Sequence, residues 1–166
     1  MSKYELTQQT KEFCGTILHR IRALVDIPEH GVKAGDLGGW IEAERNLSQE
    51  GSAWVADEAW VFGDARVYGD AVILEQAVVH GSAEVFGNAS AYGYAEVFGN
   101  ARVFDNAKIA YGAQVYDGAC VFGNAKVTDY ANVHDYALVF DDAWVTGFAD
   151  VHGNAVLSHQ GKRKET

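Results

Sequence analysis

Apolar side chains recur along most of this chain with a period of two nested inside a period of six. From Gly51 to Ser158 the sequence divides without a gap into 18 hexads, among them GSAWVA, GDARVY, GNARVF and DYALVF. The third position is alanine in all 18, from Ala53 to Ala155, and the fifth is valine, isoleucine or leucine in 17, Ala91 being the exception. Each hexad reads turn, turn, in, out, in, out. That is a four-residue strand with one buried face, preceded by two positions rich in glycine, aspartate and asparagine, which tolerate positive φ. Strands this short bury little alone; stacked in register they enclose a continuous core. An inner face of alanine and valine leaves no room for a ligand inside.

The pattern weakens towards both ends. Two earlier hexads, GWIEAE from Gly39 and RNLSQE from Arg45, fit the phase loosely and would place Ile41 and Leu47 where the alanines later fall. Residues 1–50 are expected to form an N-terminal cap and first partial coil, residues 51–158 the repeat body, and residues 159–166 a basic tail. A solenoid needs such caps because its terminal coils expose open strand edges. In Thr16–Ile27, Ile17, Ile21, Ala23, Val25 and Ile27 fall on one side, which predicts a strand laid against the first coils. The glycine-rich Val32–Trp40 stretch reads as a turn into the body. It is not a phosphate loop, since neither Lys-Ser/Thr nor a helix follows.

An aliphatic residue followed four positions later by a small one, as in Val61 and Ala65 or Val97 and Ala101, resembles the motif of the left-handed hexapeptide-repeat β-helix proteins. The resemblance implies three hexads per triangular coil. The expected fold is therefore all-β: a single-stranded left-handed parallel β-helix of about six coils, roughly 30 Å long at the usual strand spacing, with an N-terminal β cap. Handedness rests on the resemblance, because left-handed crossovers are rare in parallel sheets. The Val32–Val55 stretch, with its GGW and LSQ junction, is similar to enterobacterial and prophage-encoded YdcK-like proteins. That similarity implies a phage-type accessory setting and brings an acyltransferase label, which the fold alone does not license.

Composition narrows the classes. No run of 18 apolar residues occurs, so no membrane span is predicted, and Met1–Phe13 lacks the apolar stretch of a secretory signal. Cys14 and Cys120 do not make a disulfide framework, and a cytoplasmic protein with free thiols is expected. The formal net charge is −10, and residues 51–158 alone carry 4 basic and 14 acidic side chains. An acidic body argues against direct nucleic-acid binding and favours solubility and basic partners.

The informative positions are therefore on the outside. Every third hexad shares a face, so the sixth positions form three ladders: Tyr68, Phe86, Phe104, Phe122 and Phe140, ending at Ser158; Phe62, His80, Phe98, Tyr116, His134 and His152; and Ala56, Leu74, Tyr92, Ala110, Thr128 and Thr146. Beside the first runs Arg66, Glu84, Arg102, Cys120, Leu138 and Val156. Five aromatics in a row either stack on one another or mark a surface that another molecule covers. Burial in a homo-oligomer is favoured, a trimer by the resemblance. Tyr94, Tyr111, Tyr130 and Phe148 occupy turn positions at one corner, with Tyr136 on the next, where bulky residues break the local rule.

Two function classes follow. The favoured one is a non-enzymatic binding or assembly module that engages a host protein or sequesters a host small molecule, with Arg20, Arg22 and Lys33 as the basic groups of the cap; no cofactor is expected. The alternative is an acyltransferase using acetyl-CoA or another acyl-CoA, with His80 or His134 as general base at a subunit interface. Neither histidine has an evident carboxylate partner in the sequence, and Cys120 lacks an assigned base. His134 and His152 are adjacent with Asp150 nearby, an opportunistic metal arrangement at most, and no metal is expected.

Overall fold

The computed structural model describes residues 1–158; the basic tail lies outside the described residues. Three sheets wrap around one core. The first runs from three cap strands, β1 (Tyr4–Phe13), β2 (Thr16–Ala23) and β3 (Leu37–Ile41), into six rungs from Trp60–Val61 to Asp150–Val151. The second has six rungs from Trp54–Val55 to Trp144–Val145, and the third six from Arg66–Val67 to Val156–Ser158. All rungs pair in parallel, each residue with the one 18 further on, as Val61 with Val79 and Val97 with Val115. The chain is thus a parallel β-helix of triangular section with about seven turns.

The hexad explains the coil locally. Its first residue has positive φ in all 18 repeats, from Gly51 to Gly153, and eight of these residues are not glycine. Left-handed backbone disfavours a side chain, and five of the seven carboxylates there gain a compensating bond among the described residues. The side chains of Asp57, Glu75, Asp105, Asp129 and Asp135 each accept from the backbone N–H one coil further on, at 2.6–3.1 Å. Second-position amides add a ladder at one corner, Asn88 to Asn106 to Asn124 to Asp142 at 3.1–3.2 Å. Inside, the alanine and valine columns are fully buried from Ala53 to Val139.

The first coil departs from the expected phase. Ile41 pairs with Val61 and Leu47 with Val67, so both occupy the branched-aliphatic column and not the alanine column. Gly39 takes the alanine place, its would-be Cβ only 2.7 Å from the Ala59 carbonyl oxygen. The offset there is 20 residues and falls to 18 by Trp54, which pairs with Val72. Two extra residues therefore lie between Leu47 and Trp54.

The cap is an antiparallel β1–β2 hairpin joined to β3. The sequence pattern anticipated one strand over Thr16–Ile27, and its phase needs correction. Leu18, Ile21 and Ala23 are buried while Ile17 is exposed, because a register shift between Arg20 and Arg22 reverses the alternation. Tyr4 and Trp54 meet edge to face and bury each other. The cap also satisfies carbonyls that have no coil above them. Lys3 Nζ donates to Ala53 O at 2.7 Å, and Asn46 Nδ2 donates to Gly63 O and Ala65 O at 3.0 and 2.9 Å. Arg45 Nε reaches Gly63 O, and Arg20 reaches Asp57 O. At the other end Ala149, Ala155 and Leu157 are only partly buried.

Candidate functional site

The first outer ladder is a continuous stack. Tyr68, Phe86, Phe104, Phe122 and Phe140 lie 4.8–5.0 Å apart with planes within 6° of parallel. Parallel rungs place one ring per coil, and the coil spacing matches the stacking distance. Each ring is half-buried. Arg102 lies over Phe86 and Phe104 and pairs with Glu84, which accepts from the Tyr68 hydroxyl. Below Arg102 the flank becomes apolar through Cys120, Leu138 and Val156. Burial pushes the Cys120 thiol up, with Arg102 opposing, so it is a protonated packing group and a poor nucleophile.

The second ladder stacks six rings, Phe62, His80, Phe98, Tyr116, His134 and His152, at 4.8–5.5 Å. Phe13 of β1 closes its upper end edge-on. His80 is held between two phenylalanines; burial pushes its imidazole below the ordinary range, against the pull of Glu96. His134 has two carboxylate partners, Asp150, which the sequence placed nearby, and Asp135, which it did not single out. Its Nε2 lies 2.9 Å from Asp150 Oδ1, and its Nδ1 lies 3.5 Å from Asp135 Oδ1. Asp117 completes a group with His134 and Asp135 whose donor atoms all lie within 4.8 Å.

The corner aromatics are exposed as well as clustered. Tyr130 and Phe148 stack at 5.5 Å, Tyr111 meets Tyr92 edge-on, and the Tyr94 hydroxyl accepts from Gln76. Glycines one coil above make room: a Cβ on Gly112 would lie 2.8 Å from the Tyr130 ring, and one on Gly118 3.0 Å from the Tyr136 ring. A shallow groove of about 450 Å3 runs between Lys11, Trp60, Val78, Tyr94 and Glu96.

Of the cap cations, Lys11 and Arg20 pair with Glu58 of the body, and Arg22 and Lys33 pair within the cap. Glu58 takes Arg20 at 2.9 Å, the Trp40 indole at 3.1 Å, and Lys11. Lys11 is the largest cause holding the Glu58 carboxyl below its ordinary value. Arg22 pairs with Glu5, and Lys33 with Asp26. Arg20 thus lies at the head of the second ladder and not beside the first.

Stacked hexads, left-handed turn residues and buried alanine and valine columns define a hexapeptide-repeat β-helix protein. No family model matches the chain. Over 66 residues it is 38% identical to the uncharacterized acetyltransferase YdcK of Escherichia coli strain K12, a match covering 35% of this chain and 20% of that protein. The matched segment thus represents about a fifth of the relative's length. Among the described residues no helix is long and apolar enough to cross a membrane.

Proposed function

We propose that this protein is a non-enzymatic assembly module that associates with copies of itself, as a trimer, through the Tyr68–Phe140 face, and presents its remaining surfaces to a host protein or small molecule. The supporting observation is the face itself. Five half-buried rings run continuously into Leu138 and Val156, the latter 60% exposed, and no other described element packs over them. Alternating Arg66, Glu84 and Arg102 beside the upper rings offer charges of both signs to the neighbouring copies around a threefold axis. Light scattering at micromolar concentration tests this. Wild type should measure as an oligomer and Phe104→Asp as a monomer with a comparable melting temperature. A monomeric wild type overturns the reading. A phage-type accessory role belongs to the same proposal and rests on the junction similarity.

A second reading is favoured by the acetyltransferase name of the Escherichia coli relative. In it the chain transfers an acyl group from acetyl-CoA or another acyl-CoA, with His80 or His134 as base. His80 is the better-suited base of the two, since burial keeps it neutral and no carboxylate bonds it. Release of CoA from acetyl-CoA in the presence of candidate amine or hydroxyl acceptors, lost in His80→Gln, would support this reading over the first.

A further inference from the structure

We propose that Asp117, His134 and Asp135 form a binding site for a divalent transition-metal ion. This site is independent of the assembly reading. Three observations carry it. The donor set is one imidazole nitrogen and two carboxylates within 4.8 Å of one another. A cation with bonds of about 2.1 Å draws its donors to roughly 3.4 Å apart; His134 Nδ1 and Asp135 Oδ1 already stand 3.5 Å apart.

His134 is also oriented for the task. Nε2 lies 2.9 Å from Asp150 Oδ1, and a proton on that nitrogen would leave Nδ1, 3.5 Å from Asp135 Oδ1, as the ligating atom. A carboxylate behind a ligating histidine fixes tautomer and ring plane in this way. Stacking between Tyr116 and His152 restrains the ring further.

The third observation is the behaviour of Asp117. It occupies the left-handed first position of its hexad, as Asp57, Glu75, Asp105, Asp129 and Asp135 do. Those five carboxylates accept the backbone N–H of the next coil. Among the described residues the Asp117 carboxylate makes no such bond; it lies beside the next coil's carboxylate and imidazole instead. Two carboxylates held together at adjacent rungs repel unless a cation lies between them. An imidazole with two carboxylates suits zinc or manganese better than calcium, which takes oxygen ligands only.

Titration of the full chain with zinc chloride by calorimetry tests the site. One zinc per chain should bind saturably. Asp117→Asn and His134→Gln should each weaken it about tenfold or more, and His80→Gln should leave it unchanged. The His134 Nδ1 nitrogen resonance should shift on binding, which identifies direct ligation. Unchanged affinity in either ligand variant, no saturable binding, or calcium binding as tightly as zinc would each overturn the proposal. Circular dichroism of each variant guards against loss of fold.

Discussion

Asn46 is the side chain whose loss should be felt most sharply for its size. It is fully buried, donates to Gly63 O and Ala65 O, and accepts from the Ala43 N–H at 2.9 Å. Asn46→Leu keeps the volume and removes all three bonds. Gly63 O retains Arg45, so the Ala65 carbonyl and the Ala43 N–H are left without partners. Each buried orphan costs about 1–3 kcal/mol, giving about 2–6 kcal/mol in total. For a chain of this length that corresponds to a melting temperature lower by roughly 5–15 °C. Asn46→Asp should be worse, because it sets a carboxylate against two carbonyl oxygens. Asn106→Ala, which loses two bonds of the exposed amide ladder, should stay within about 1 kcal/mol of wild type. Calorimetric melting checks the magnitudes. Hydrogen exchange checks the place: since coils interact only with their neighbours, protection should fall first around the Gly63–Ala65 turn. An Asn46→Leu protein that melts within about 2 °C of wild type would refute the idea that the cap works by satisfying carbonyls.

Gly39→Ala puts a methyl within 2.7 Å of Ala59 O and Val55 Cγ1 and within 2.9 Å of Ala56 O. Backbone cannot yield there cheaply, so the variant should lose more stability in urea than Gly112→Ala, whose methyl meets chiefly the exposed Tyr130 ring and keeps 3.3 Å from the Asp129 carbonyl oxygen. Equal midpoints would count against this packing. Lys3 makes a signed prediction with pH. Burial pushes its amine down to about 8 from an ordinary 10.5, with Asp70 opposing, so between those values the unfolded chain binds more protons than the folded one. Stability contributed by Lys3 therefore rises with pH across that window, and wild type should gain on Lys3→Met between about pH 8 and pH 10.5. A difference that stays flat in urea melts would show that the amine is not desolvated.

The repeat body was legible because its signal is redundant: a left-handed turn residue, an alanine and a branched aliphatic residue recur in one phase with no gap to lose it. The first coil was not, because Gly39 lacks the marking alanine and two extra residues move Leu47 into the other column. β1 escaped notice because its buried positions, Tyr4 and Thr7 among them, are not a run of aliphatics. A one-residue irregularity in β2 then hid which side of that strand faces in. The outer ladders could be read by counting in steps of 18, and the rings do stack along them. The His134 group could not be found this way. Asp150 is 16 residues from His134 and Asp117 is 17 away, so neither falls in its column of 18: Asp150 pairs with Asn132 on the same face one coil on, and Asp117 stands in the left-handed turn of the coil before.

The constant offset of 18 beyond Trp54 makes the length of the prism separable from everything else about it. Removing or duplicating any 18 consecutive residues within the body would delete or insert one complete storey, and every column above and below would keep its neighbours. The cap, built for the single wider first coil, would not register the change. Surface features such as the ring stacks and the His134 corner are then spaced by whole storeys, in multiples of about 4.8 Å.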